Sequence, residues 1–235
     1  MNTGINIGNT HITIAQFSKK ITKIKKLPTE KINKYLKPSK LKGKIYIASV
    51  VPSITEVFLK TVKNHPVKIF TYKDIPIKIK VKNPGSTGID RILNCFAAFE
   101  KFRLPCLIID AGSAITADVV NEKGEFEGGI ILPGITLMEK SLKELAGLKN
   151  FRLTGKTSLI GKGTDSAVSS GIYLGLKFII EGYWAEMKEK YPGVKLIFTG
   201  GDGRELCKKT GKGVYYENLT ITGIQKIADK NSFSE

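Results

Sequence analysis

One residue pattern, met twice, constrains this chain most. Ile5-Asn6-Ile7-Gly8-Asn9-Thr10-His11-Ile12 aligns with Ile109-Asp110-Ala111-Gly112-Ser113-Ala114-Ile115-Thr116, at a spacing of 104 residues. Each copy runs from an apolar strand pattern through an amide or acid into Gly and a small polar residue, then into a second strand pattern. A single strand–Gly–strand hairpin is an ordinary turn. Two copies, each opening one half of a 235-residue chain, imply a duplicated domain. The N–H groups of such a turn, with hydroxyls beside them, suit an oxyanion. An acid at the strand end suits the cation that travels with a phosphate. A cleft between two such halves is the expected place for a phosphorylated ligand.

The remaining patterns fill in the halves. Residues 4–7, 11–17 and 21–27 alternate as three short strands. A Lys-rich helix to Leu36, a buried strand over 44–50, a helix carrying Ile54, Val57, Phe58 and Val62, and a strand over 67–70 follow. After Asn83-Pro84-Gly85, Ser86 and Thr87 are candidate caps of a helix with Ile89, Leu93, Phe96 and Ala97 on one face. Gly88-Ile89-Asp90-Arg91 occupies its first turn, where an aspartate is favoured by the helix dipole. The second half reads as strands over 106–110, 116–121 and 125–131, with Gly128-Gly129 as a bulge or a close approach. A helix over 135–146 is expected to turn Leu137, Met138, Leu142 and Leu145 inward. Thr164 is a cap candidate for a long helix over about 166–190, in which Gly171, Gly175 and Gly182 suggest close packing by another subunit. A strand over 195–199, Gly200-Gly201, and helices from Arg204 and Leu219 complete the chain.

Composition excludes several classes. No run of 18 apolar residues and no basic-then-apolar leader pattern is present, so neither a transmembrane helix nor a signal peptide is expected. Cys95, Cys106 and Cys207 are odd in number and widely spaced, as reduced thiols of a cytoplasmic protein would be. The formal net charge of +17 invites a nucleic-acid reading. Only Arg91, Arg103, Arg152 and Arg204 are arginines, however, and the lysines are spread along the chain, densest over 19–44. Groove readers use Arg forks on a clustered face, so the balance argues against nucleic acid.

Taken together the motifs resemble one family, type III pantothenate kinase, of the acetate and sugar kinase/Hsp70/actin superfamily. The resemblance runs over nearly the whole chain. It rests on Ile-Asn-Ile-Gly-Asn-Thr at 5–10 and Gly-Ile-Asp-Arg at 88–91 with Asn94 and Ala97-Ala98. It continues with Asp-Ala-Gly-Ser-Ala at 110–114 with Thr116 and Asp118, then Gly128-Gly129, Pro133-Gly134, Ile160-Gly161-Lys162-Gly163-Thr164, Ser170-Gly171, Gly200-Gly201 and Leu219-Thr220.

The resemblance implies an α/β fold of two duplicated actin-like (RNase H-like) domains with mixed five-stranded sheets, over 1–104 and 105–235, the second carrying a homodimer interface. It implies ATP-dependent phosphorylation of the pantothenate hydroxyl, the first step of coenzyme A biosynthesis. Asp90 would be the general base. Gly88, Ile89, Asp90 and Arg91 would bind pantothenate, with Thr164 reaching it from the partner subunit. Asn6, Ile7, Gly8, Asn9, Thr10, His11, Ile12, Thr13 and Ser113 would bind ATP. Asp110 would hold potassium or ammonium, and Mg²⁺ would accompany ATP. Three positions depart from the family: Asn6 stands for Asp and brings no charge, Ser113 stands for Thr, and Val81 for a Tyr two residues before Asn-Pro. The departure at Asn6 supplies the alternative expectation, a weakened relative that binds nucleotide or pantothenate as a regulatory protein.

Overall fold

The computed structural model describes residues 1–32 and 38–231. They form two compact units. The first comprises Met1–Phe102, Gly124–Phe126 and the C-terminal stretch from Asn218; the second comprises Arg103–Lys123 and Glu127–Glu217.

In the first unit β1 (Asn2–Ile7), β2 (His11–Phe17) and β3 (Ile21–Pro28) form an antiparallel meander. β4 (Ile45–Ser49) and β5 (Val67–Ile69) then join in parallel, giving the order β3-β2-β1-β4-β5. Side chains alternate across this sheet. Ile5, Ile7, Ile12, Ile45 and Ile47 pack on one face with Phe58 of α1 (Pro52–Thr61). Ala15, Phe17, Tyr46 and Ala48 pack on the other with Ile92, Leu93 and Phe96 of α2 (Ile89–Phe102). Each fully buried Phe, such as Phe17 or Phe58, contributes on the order of 1.5–3 kcal/mol relative to exposure. β3 is the edge strand, and its exposed Lys23, Lys25 and Lys26 discourage pairing with another chain.

The second unit repeats the plan. β6 (Cys106–Ala111), β7 (Ala114–Val120) and β8 (Phe126–Pro133) are followed by α3 (Ile135–Lys143), α4 (Thr164–Lys190), β9 (Lys195–Thr199), α5 (Gly203–Thr210) and β10 (Val214–Tyr215). The order β10-β9-β6-β7-β8 is that of the first sheet, with β6–β7 antiparallel and β6–β9–β10 parallel. Leu107, Ile109, Ala111, Ile115, Ala117 and Val119 face a core shared with Ile172, Leu176 and Ile180 of α4. By alternation Ile108, Asp110, Thr116 and Asp118 face the other way.

Several expectations are amended. The last helix, α6 (Leu219–Asn231), belongs with the first unit rather than with a 105–235 domain, because Ile221, Ile224 and Ile227 pack among Ile92, Leu93 and Phe96. Of the helix expected to Leu36, the described residues show a 3-10 turn over Thr29–Lys31 followed by a helical Ile32, and the rest of that segment lies outside the described residues. α3 ends at Lys143; Met138 and Leu142 pack inward, whereas Leu137 and Leu145 are half exposed. The two-residue β10 had no sequence signal long enough to read. Gly129 is explained by the sheet itself, since a Cβ there would lie 2.0 Å from the Ala117 carbonyl oxygen.

Candidate functional site

In the first unit the site is built where the parallel strands end. The turn after β1 is closed by the Gly8 N–H donating to the His11 carbonyl at 3.0 Å. It is braced by Thr29, whose N–H donates to Thr10 O at 2.9 Å and whose hydroxyl donates to Gly8 O at 2.7 Å. Sequence reasoning missed Thr29; only its place after the Pro28 strand end marked it. Asn9, Thr10 and His11 are exposed, Asn6 and Thr13 are half-buried, and Ile7 and Ile12 are core residues. Ile7 and Ile12 can therefore offer only backbone to a ligand. The Val50 N–H, just beyond β4, donates to Ile7 O at 3.1 Å.

The first turn of α2 lies against the same strand end, since a Cβ on Gly88 would stand 3.7 Å from Val50 Cγ1. That Cβ would also lie 2.7 Å from Asp90 Oδ1, so the Asp90 carboxylate occupies the space that Gly88 leaves. Asp90 Oδ1 accepts the Arg91 N–H at 2.9 Å. Ser86 and Thr87 do not cap α2; their hydroxyls donate back to Asn83 O. Burial raises the Asp90 pKa above the ordinary carboxylate value, against the opposing pull of backbone N–H groups and the Arg91 charge. The Arg91 guanidinium lies 5.9 Å from the centroid of the buried Phe126 ring. One turn along α2, Asn94 is buried and its Oδ1 accepts the Thr220 hydroxyl of α6 at 2.8 Å. This fixes the rotation of the helix that carries Asp90.

In the second unit Asp110 takes the place on β6 that Asn6 takes on β1, one residue before the strand ends. The two hairpins differ in length. Ile7 pairs with Ile12, but Ala111 pairs with Ile115, so the second turn is one residue shorter and the ungapped alignment slips after the glycine. Ser113 sits exposed in this turn, and its carbonyl accepts the Gly134 N–H at 3.2 Å. Gly200 closes against the same strand end at φ +86°, where a Cβ would lie 2.4 Å from Ala111 O and 2.5 Å from Asp110 Oδ1. The Asp202 N–H donates to Ala111 O at 2.9 Å, and the Tyr215 hydroxyl donates to Gly200 O at 3.3 Å. Burial raises the Asp202 pKa. Across the hairpin Asp110 pairs with Thr116, whose Oγ1 is buried without a hydrogen-bond partner.

Thr164 is exposed in the first turn of α4. It does not cap the helix; Gly163 takes the N-cap position, and the Ser166 hydroxyl accepts the Gly163 N–H and donates to Gly163 O. A cavity of about 510 Å³ lies here, lined by Thr154, Lys156, Ser158, Thr164, Asp165 and Ser166 among others. Among the described residues no group of three or more His, Cys, Asp or Glu side chains could hold a metal ion. No helix there is long and apolar enough to cross a membrane.

Comparison with known proteins bears on these residues. A type III pantothenate kinase family model matches residues 4–186. A type III pantothenate kinase of Sulfurihydrogenibium sp. is 35% identical over 189 residues, 77% of this chain and 75% of that protein. One from Thermosipho melanesiensis is 32% identical over 239 residues, 93% of this chain and 94% of that protein. Among solved structures, a conserved Baf family protein of Campylobacter jejuni, described as a transcriptional activator, superposes with a TM-score of 0.71. It is 25% identical, and the match covers 98% of this chain and 99% of that one. The ethanolamine utilization protein EutJ of Carboxydothermus hydrogenoformans shares the fold, with a TM-score of 0.52 at 12% identity over 95% of this chain and 88% of that one.

Proposed function

This chain belongs to the type III pantothenate kinase family and phosphorylates pantothenate with ATP and a divalent metal, the entry to coenzyme A biosynthesis, and we propose which of its residues carry out that reaction. Asp90 is the general base. It accepts the proton of the pantothenate hydroxyl as the γ-phosphoryl group moves to that oxygen and ADP leaves. The observation that carries this assignment is the enclosed Asp90 carboxylate over Gly88, with a raised pKa that makes it a stronger base than an ordinary Asp. Gly88, Ile89 and Arg91 complete the pantothenate subsite, the guanidinium meeting the substrate carboxylate.

Residues 6–13 and Ser113 supply N–H and hydroxyl donors to the ATP phosphates. Transfer of this kind is mostly positioning and charge neutralisation, so few side chains take part in bond making. Mg²⁺ would accompany ATP and offset the charge of its phosphates. Asp110 would hold potassium or ammonium; its carboxylate at the end of β6, with a partnerless hydroxyl opposite, fits a singly charged ion. When bound, that ion would supply positive charge to the transferred phosphate.

The protein works as a cytoplasmic homodimer. Gly171, Gly175, Phe178 and Gly182 share one face of α4 at helical spacing. A Cβ at any of these glycines meets nothing, and Phe178 is 51% exposed, so a second copy of this chain is the natural cover. In that dimer Thr164 is contributed to the partner's pantothenate subsite. The three cysteines are free, and burial pushes the Cys106 thiol up to about 12, which leaves it unreactive.

The description of the Campylobacter jejuni neighbour, together with Asn6, favours a second reading in which binding serves regulation. ADP release measured with and without pantothenate, in potassium and in sodium, separates the two. Turnover that requires pantothenate and rises with potassium supports the kinase; nucleotide binding without turnover supports the regulator.

A further inference from the structure

We propose that Thr116 is a ligand of the monovalent cation, completing with Asp110 a carboxylate–hydroxyl pair across the β6–β7 hairpin. The proposal rests on the reading of Asp110 as the cation's carboxylate. Asp110 and Thr116 are directly opposed in the antiparallel register, so their side chains leave the same face of the sheet about 4.5–5.5 Å apart at Cβ. That face is opposite to the one packed on α4, whose core takes Ile109, Ala111, Ile115 and Ala117. Among the described residues Thr116 Oγ1 is the buried side-chain oxygen with no hydrogen-bond partner. A buried hydroxyl in that state is costly, and a valine would fill the same volume without the cost. A lone pair offered to a cation accounts for it.

The chemistry also fits the charge of the ion. One carboxylate and one neutral hydroxyl balance a single positive charge, whereas a divalent ion calls for several carboxylates or carbonyl oxygens. Gly200, just past β9 on the other flank, leaves room for Asp110 Oδ1, which a Cβ there would meet at 2.5 Å. Thr199 of β9 is paired with Asp110 on its second flank and is buried. Asp110 thus stands in a row between two threonines, Thr116 and Thr199.

The test is the melting temperature of the full chain, without ATP or pantothenate, titrated with KCl against choline chloride at matched ionic strength. Wild type, Thr116→Val, Thr116→Ser and Asp110→Asn are compared. The expected result is a potassium-dependent rise in wild type and Thr116→Ser, at least tenfold weaker apparent potassium affinity in Thr116→Val, and no response in Asp110→Asn. In choline alone Thr116→Val melts at or above the wild-type temperature, because no partner is lost. A normal potassium response in Thr116→Val with none in Asp110→Asn overturns the role of Thr116 and leaves that of Asp110 standing. An equal response in Asp110→Asn and wild type, or none in wild type, overturns both. A lower melting temperature of Thr116→Val in choline shows that the hydroxyl has a structural partner and overturns the proposal on its own.

Discussion

Gly200→Ala is the substitution whose effect follows most directly from the geometry. Gly200 has φ +86°, a region in which an L side chain is strained by about 1–3 kcal/mol. The added methyl would also stand 2.4 Å from Ala111 O and 2.5 Å from Asp110 Oδ1. The backbone carbonyl cannot yield freely. Ala111 O accepts the Asp202 N–H at 2.9 Å, and Ala111 is a fully buried strand residue. Relief of the overlap adds about 1–3 kcal/mol, as overpacking does. The total expected loss is about 2–6 kcal/mol, with Asp110 displaced from its place at the strand end.

The adjacent residue is the control. A Cβ on Gly201 meets nothing and the position is exposed, so Gly201→Ala is expected to stay within about 0.5 kcal/mol of wild type. Equilibrium urea unfolding measures both changes, and steady-state ADP release measures the effect at Asp110. If Gly200→Ala unfolds at the same urea midpoint as Gly201→Ala and keeps wild-type turnover, the close approach of this loop to Asp110 is refuted.

Other outcomes are expected from single contacts. Thr220→Val removes the donor to the buried Asn94 Oδ1 and should cost about 1–3 kcal/mol in urea unfolding, with kcat lowered because α2 carries Asp90. The pH profile of kcat/KM should show an acid limb above the ordinary aspartate range, since burial raises the Asp90 pKa. Because that folded-state pKa lies above the unfolded value, the folded chain binds the extra proton in the window between them. Stability from this group therefore falls as pH rises through the window, and Asp90→Asn should melt higher than wild type at neutral pH. Phe178→Glu places a charge on the apolar face of α4 and should give monomers by sedimentation, with the circular dichroism of the folded chain retained.

Much of the fold was legible because its signals are local. The repeated Gly hairpin and the alternation of β1, β2 and β3 announced two sheets, and both have the same strand order. What escaped was long-range. Nothing near α6 says that Ile221, Ile224 and Ile227 pack beside α2 rather than in the second unit, because that choice depends on partners more than a hundred residues away. Leu137 misled because it lies within α3 but off the face of Met138 and Leu142, and Leu145 because apolar character alone does not say that the helix stops at Lys143. At the site, Asp90 and Asp110 were marked by their motifs. Thr29 as a brace, Asn94 as an anchor and the partnerless Thr116 hydroxyl became visible only once hydrogen bonds could be traced. Gly200-Gly201 was legible as the end of the strand over 195–199; the structure adds the reason for Gly200, the lack of room for a Cβ.

The central claim is that Asp90 takes the proton from the pantothenate hydroxyl. The most direct measurement is pantothenate-dependent ADP release by wild type and Asp90→Asn, with ATP and pantothenate binding followed by calorimetry on both proteins. The account predicts turnover in wild type, and in Asp90→Asn a fall in kcat of about 10²–10⁴-fold with both ligands still bound. Undiminished turnover in Asp90→Asn would contradict it.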